Sequence, residues 1–85
     1  MVFLAITPDG LKEALRIAVD PETPVWCGAD AMSEEDYGAR KGRNLSRFNY
    51  ALGDRNAPTL ERAVETINEH HPDEVVWVEA PTASE

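Results

Sequence analysis

The chain has 85 residues, 42% of them apolar, and no internal repeat, so the sequence predicts one small domain. The 16 acidic and 8 basic residues give a net charge of −8, which disfavours nucleic acid and anionic membranes as partners. A single cysteine excludes an internal disulfide framework, and the longest apolar run, residues 2–6, is far too short for a membrane span and does not resemble a secretory signal. We therefore expect a cytoplasmic protein without a membrane partner.

The first half of the chain predicts a strand, a helix and a second strand. The apolar run at residues 2–6 is rich in strand formers, and Thr7-Pro8 after it is typical of a helix N-terminus. The helix carries an apolar stripe at Leu11, Ala14, Leu15 and Ala18. It should end near Pro21, because the residue before a proline is disfavoured in the α region. Residues 24–28 are a short second strand candidate.

The second half predicts a strand, a helix and a final strand. Between residues 29 and 44 the pattern is weak, and we treat this stretch as a loop that could contain a short helix over residues 34–40. Alternation over residues 45–52 indicates a half-buried strand. Leu60, Ala63, Val64 and Ile67 form the stripe of a helix that ends at His71-Pro72. Residues 74–80 form the last strand.

This order predicts an α+β domain over residues 1–80 with the ferredoxin-like βαββαβ topology, followed by a flexible tail at residues 81–85. In that fold two helices cover one face of a four-stranded antiparallel sheet. The other face would be bare, and Phe3 and Trp77 would emerge on it. A phenylalanine and a tryptophan exposed together favour coverage by a second copy, so we expect a homodimer through Phe3 and Trp77.

Cys27 is the candidate for thiol chemistry. The string Trp26-Cys27-Gly28 resembles the start of a thioredoxin-type active site, which implies an activated thiol beside a helix N-terminus. Position 30, where that family has its second cysteine, holds Asp30, whose charge would raise the pKa of a nearby thiol. The alternative interpretation is a small buried strand residue.

Five of the eight basic residues lie between positions 40 and 55 and are candidates for anion binding: Arg40, Lys41, Arg43, Arg47 and Arg55. The strings Lys41-Gly42-Arg43 and Arg47-Phe48-Asn49-Tyr50, with Val2-Phe3-Leu4, resemble the RNA-recognition motif. That family stacks bases on aromatic side chains of its two central strands, so the resemblance implies a nucleic-acid platform. Arg43 replaces the aromatic residue expected after Lys-Gly.

Glu61, Glu65 and Glu69 are spaced one turn apart on the second predicted helix, so their like charges line one ridge. This ridge is either a solvated face or a docking site for a basic protein partner. The chain has no glycine-rich phosphate loop, catalytic triad or metal-ligand spacing, and we expect no cofactor and no metal.

We therefore expect a small, acidic accessory protein of bacterial or phage type that binds a basic protein through Glu61, Glu65 and Glu69. In this interpretation it acts by binding and not by catalysis. The first alternative is a thiol-dependent or anion-binding enzyme that uses Cys27 and Arg55. The second alternative is a nucleic-acid binder that resembles the RNA-recognition motif.

Overall fold

Strands and helices alternate along the chain. A computed structural model describes residues 1–39 and 44–80, so the predicted tail at residues 81–85 lies outside the described residues. The elements are β1 (Val2–Ala5), α1 (Pro8–Ile17), β2 (Val25–Cys27), α2 (Glu34–Ala39), β3 (Leu45–Arg47), α3 (Ala57–His70) and β4 (Val76–Val78). Within the two described ranges, no helix has both the length and the apolar character needed to cross a membrane.

The four strands form one sheet in the order β3-β2-β1-β4, and every neighbouring pair is parallel. With a helix between each strand and the next, this is a Rossmann-like α/β fold, since the same order begins the doubly wound sheet. The ferredoxin-like α+β prediction is therefore wrong. Its antiparallel sheet, and the pairing of helices on one side of that sheet, are both absent from the described part of the chain.

The prediction failed at α2. This helix has six residues and no buried side chain, so it produces no apolar stripe in the sequence. Its start is marked by Ser33, whose Oγ accepts a hydrogen bond from the Asp36 N–H at 3.1 Å. When α2 is treated as a loop, β2 and β3 look like consecutive antiparallel strands. With α2 present, their connection becomes the helical crossover that a parallel pair needs.

The helices α1 and α3 cover opposite faces of the sheet. Leu11 and Ala14 of α1 pack in one cluster with Ala5 and the other α1-facing residues of the central strands. Ala63 and Ile67 of α3 pack in the other cluster, together with the side chains of β1 that alternate with Ala5. The predicted bare sheet face is therefore also wrong. Right-handed crossovers explain the arrangement, because the step from β3 back to β4 runs opposite to the steps that lead outward from β1.

Both long helices begin at a polar cap: α1 begins at Pro8, as the sequence predicts, and α3 begins at Ala57, slightly before the predicted start at Pro58 or Thr59. Thr7 is the N-cap of α1, and its Oγ1 accepts a hydrogen bond from the Gly10 N–H at 3.0 Å. Asn56 is the N-cap of α3, and its side chain accepts a hydrogen bond from the Thr59 N–H. In each case a polar side chain satisfies a backbone donor that the helix leaves without an internal partner.

The two covered faces can be tested at Ala5, which is 2% exposed and would lie on the bare face of a ferredoxin-like sheet. We expect Ala5→Leu to lower the free energy of unfolding by about 1–3 kcal/mol, because α1 leaves no room for a larger side chain. The matched control is Val75→Leu at an exposed site, which should change stability by less than about 0.5 kcal/mol. Denaturant unfolding measures both, and equal stability of Ala5→Leu and wild type would contradict the packing of α1.

Candidate functional site

The strand order reverses between β1 and β4, and the carboxyl ends of these strands form the first candidate site. Ligands of open parallel sheets bind in the crevice at such a reversal, often with an anion at the start of the helix that follows. Here Ile6 and Thr7 follow β1, and Glu79 follows β4. Glu79 contacts Ile6 and Thr7 although more than 70 positions of the sequence separate it from them.

The crevice is occupied by the carboxylate of Glu79. Its Oε1 accepts hydrogen bonds from the N–H groups of Ile6 at 2.6 Å and of Thr7 at 2.8 Å. Its Oε2 accepts a hydrogen bond from the Thr7 hydroxyl at 2.7 Å. These N–H and hydroxyl donors would otherwise be free to bind an external anion through charge-assisted hydrogen bonds. The chain therefore supplies its own anion at the position where related folds bind a ligand's phosphate.

Arg55 completes this cluster. Its backbone has φ of 53°, and its Nη1 donates to the Glu79 carbonyl oxygen at 2.7 Å. Its Nη2 lies 4.0 Å from the Glu79 carboxylate, and both side chains are partly buried. Gly10 borders the cluster from α1, and a Cβ at Gly10 would collide with the carboxylate of Glu79. The guanidinium of Arg55, predicted to bind an external anion, is thus engaged with Glu79.

The hydrogen bonds also set the ionisation of Glu79. Burial of its carboxylate opposes ionisation, but the Thr7 hydroxyl, the Thr7 and Ile6 N–H groups and the charge of Arg55 outweigh burial. The pKa of Glu79 is therefore lower than its ordinary value. A carboxylate with a lowered pKa stabilises the folded state above the unfolded-state pKa, and this stabilisation is lost as the pH falls through the folded-state pKa.

Cys27 lies at the end of β2 and is fully buried beneath α1. Burial raises the pKa of its thiol to about 11, with Arg47 opposing the shift and Asp30 adding to it. The Arg47 side chain donates to the carbonyl oxygens of Met32 at 2.6 Å and Ala29 at 3.1 Å, so it holds the loop after β2. A buried thiol with this pKa supplies little thiolate at neutral pH, which argues against the thiol-enzyme alternative.

Only part of the predicted anion-binding segment is described. Arg47 and Arg55 donate to carbonyl oxygens within the chain. The other three candidates, Arg40, Lys41 and Arg43, lie outside the described residues. Anion binding by this segment therefore stays a prediction.

The aromatic side chains of the third strand region do not form a stacking platform. Phe48 is buried beneath α3, with its ring centroid 5.1 Å from Trp26 and 5.2 Å from Tyr50. The parallel sheet also differs from the antiparallel sheet on which the RNA-recognition motif depends. The nucleic-acid alternative thus lacks support from the arrangement of these rings.

The second candidate site is the open edge of the sheet at β4. Trp77 is 56% exposed and stands beside Phe3 in the register of β1 and β4. Together with Ile17 of α1, these side chains line an apolar groove, which we call the α1-side groove. Asp9 and Glu13 also line it.

On the opposite face of β4, Val78 forms a second groove with Leu60 and Val64 of α3, which we call the α3-side groove. Glu61 and Glu65 of the predicted docking ridge line this groove, whereas Glu69 lies exposed further along α3. Among the described residues, every charged side chain that lines either groove is acidic. The structure thus brings Glu61 and Glu65 to the same strand edge as Phe3 and Trp77.

Sequence reasoning missed Glu79, Val78 and Ile17. Glu79 carries one usable signal, since an acidic residue directly after a buried-type strand lies at the carboxyl end of the sheet. The groove residues have no sequence signal, because their exposure depends on β4 being an edge strand. Across residues 1–39 and 44–80, no group of three or more His, Cys, Asp or Glu side chains could hold a metal ion.

We expect Glu79→Gln to lower the free energy of unfolding at pH 7 by about 1–3 kcal/mol, because charge-assisted hydrogen bonds are lost. The substitution should also flatten the fall in stability of the wild type between about pH 5 and pH 3. Denaturant unfolding over this pH range measures both effects. Glu22→Gln, at an exposed carboxylate, is the control. An unchanged pH profile in Glu79→Gln would contradict the role of the cluster.

The thiol of Cys27 should be silent towards iodoacetamide at pH 7.5 in the folded protein and react fully in denaturant, because burial both hides the sulfur and disfavours the thiolate. Mass spectrometry over time measures the modification. Rapid alkylation of the folded protein at pH 6 would instead indicate an activated thiol and restore the enzyme alternative.

In comparisons with known proteins, no family model, curated protein or solved structure matches this chain. Its function must therefore be argued from its own residues. Two features bear on its function: the crevice that the Glu79 carboxylate occupies and the acidic, apolar edge at β4.

Proposed function

We propose that this chain is a non-catalytic binding module that acts in the cytoplasm and recognises a basic segment of a protein partner at the β4 edge. The observation that carries the proposal is the chemistry of the two grooves, which combine apolar floors with acidic charges alone among the described residues. The buried state of Cys27 and the engagement of Arg55 by Glu79 support binding over catalysis.

The two kinds of groove residue would contribute differently. Trp77 is the natural anchor, since partly exposed tryptophans that fill a partner's pocket dominate many interfaces. Glu61 and Glu65 are exposed, so their charges would mainly raise the association rate and exclude acidic partners. This division predicts binding that weakens with salt but is not abolished by it.

Self-association through Phe3 and Trp77 is the second candidate, favoured by the exposure of Trp77 at an open strand edge. The two candidates use the same surface but respond to salt in opposite directions. Two copies would bring like-charged groove margins together, so added salt would strengthen a homodimer. It would weaken the complex with a basic partner.

The test uses a synthetic peptide of about eight residues, a usual strand length, with an apolar β-branched centre and lysines at both ends. We expect the wild type to bind it at low salt, and the double variant Glu61→Gln, Glu65→Gln to bind about three- to tenfold more weakly. The matched control replaces two exposed acids of α2, Glu34→Gln and Glu35→Gln, and should bind like wild type. Fluorescence anisotropy with a labelled peptide measures all three affinities.

Two results would overturn the proposal: no binding of the lysine-flanked peptide by the wild type, or equal loss of affinity in the α2 control. A companion peptide with glutamates in place of the lysines should not bind. Sedimentation of the wild type at low and high salt tests the homodimer separately.

A further inference from the structure

The main chain of β4 presents unused hydrogen-bonding groups to its open side. The Val2 N–H donates to the Val75 carbonyl oxygen at 2.9 Å, and the Glu79 N–H donates to the Leu4 carbonyl oxygen at 3.0 Å. These two bonds set the phase of the parallel ladder, in which alternate residues bond to the same neighbour. The backbone of Val76 and Val78 therefore points away from β1. No other described element pairs with this side of β4.

We propose that the partner binds as an added strand: an extended segment with an apolar centre and Lys or Arg at its ends pairs with the backbone of Val76 and Val78. This inference rests on the proposed function and specifies its binding mode. Addition of a strand to an open edge uses main-chain hydrogen bonds for affinity and side-chain pockets for specificity. Both are available at β4.

The two grooves favour an extended segment over a helix. Trp77 lines the α1-side groove and Val78 lines both grooves, so the apolar surface wraps around both faces of the edge. Side chains of an added strand alternate between the faces of the sheet, and they would reach both grooves at once. A helix laid along either groove would leave the other groove and the backbone of Val76 and Val78 uncovered.

The charge of the edge selects a basic partner over a second copy. Edge strands of many proteins avoid pairing by means of lysine, proline or a bulge, and β4 (Val76–Val78) has none of these. Glu13 lines the α1-side groove, but its carboxylate is paired with Arg16. The edge is therefore protected by the other acidic residues of the grooves, Asp9 on one side and Glu61 and Glu65 on the other. These charges repel an identical edge and attract lysines placed on both sides of an apolar centre.

The first test compares Val78→Pro with Val78→Ala, using the lysine-flanked peptide as the probe. Proline removes the N–H that faces the open edge and leaves the bonds between β4 and β1 in place, as is usual for proline on edge strands. We expect Val78→Ala to weaken binding by about threefold through lost apolar contact, and Val78→Pro by about tenfold or more. Circular dichroism and the Tm of each variant verify folding. Equal affinities of the two folded variants would overturn strand addition.

The second test leaves the protein unchanged, so it stays decisive if Val78→Pro fails to fold. The probe peptide is N-methylated at alternate residues in two sets, each of which removes the main-chain donors on one side of the extended peptide. We expect one set to abolish binding and the other to leave it close to that of the unmodified peptide. Equal binding of both sets would overturn strand addition. If affinity still falls in the Glu61→Gln, Glu65→Gln variant, the proposed function stands without this mode; if the unmodified peptide does not bind at all, both fail.

Discussion

The hydrogen bonds of the Glu79 carboxylate connect β1 and β4 at the point where the strand order reverses. Strand β4 has only three residues and pairs with β1 alone, so a short ladder fixes one side of it and nothing described fixes the other. Just past the end of this ladder, Glu79 accepts hydrogen bonds from Ile6 and Thr7 and so ties β4 to the start of α1. Arg55 then attaches the turn before α3 to the same point. The cluster thus anchors the carboxyl end of β4, the strand on which both grooves lie.

The same cluster explains why the fold does not by itself indicate a nucleotide or phosphate ligand. Doubly wound sheets bind anions at their reversal point because backbone donors converge there. In this chain those donors are directed at an internal carboxylate, and Arg55 is directed at the carbonyl of the same residue. The position that carries function in many related folds therefore has a structural role here. Exposed apolar and acidic side chains lie instead along the edge of β4, with which no further described strand pairs.

The individual elements could be predicted from sequence more completely than their arrangement. The caps at Thr7 and Asn56 and the apolar stripe of α3 are local signals, and local hydrogen bonding and periodicity suffice to place them. The sequence does not reveal that the strands are parallel, because α2 buries no side chain and so carries no periodic signal. A loop in place of α2 implies an antiparallel pair of β2 and β3. The unbroken apolar run of β1 indicates a strand of a parallel sheet, since strands buried on both faces show no alternation.

For the candidate site, the sequence points to some of the residues that line the grooves but not to their setting. Glu61, Glu65, Phe3 and Trp77 were chosen for charge and bulk, and only the sheet order shows that they border one edge. Cys27 could be assigned to a strand end, but its burial depends on α1 lying across that face. The position of Glu79 after a strand is a local signal, but its hydrogen bonds are not, because Ile6 and Thr7 lie at the far end of the chain. Long-range pairing of this kind is fixed by topology and not by local propensity.

The close approach of Gly10 to Glu79 has an evolutionary consequence. A side chain at position 10 would occupy the space that the Glu79 carboxylate now fills, so neither position can change alone without loss of the cluster. Relatives of this chain with a larger residue at position 10 should carry a shorter residue at position 79. Covariation between these two positions would thus mark the relatives in which this carboxylate no longer occupies the crevice.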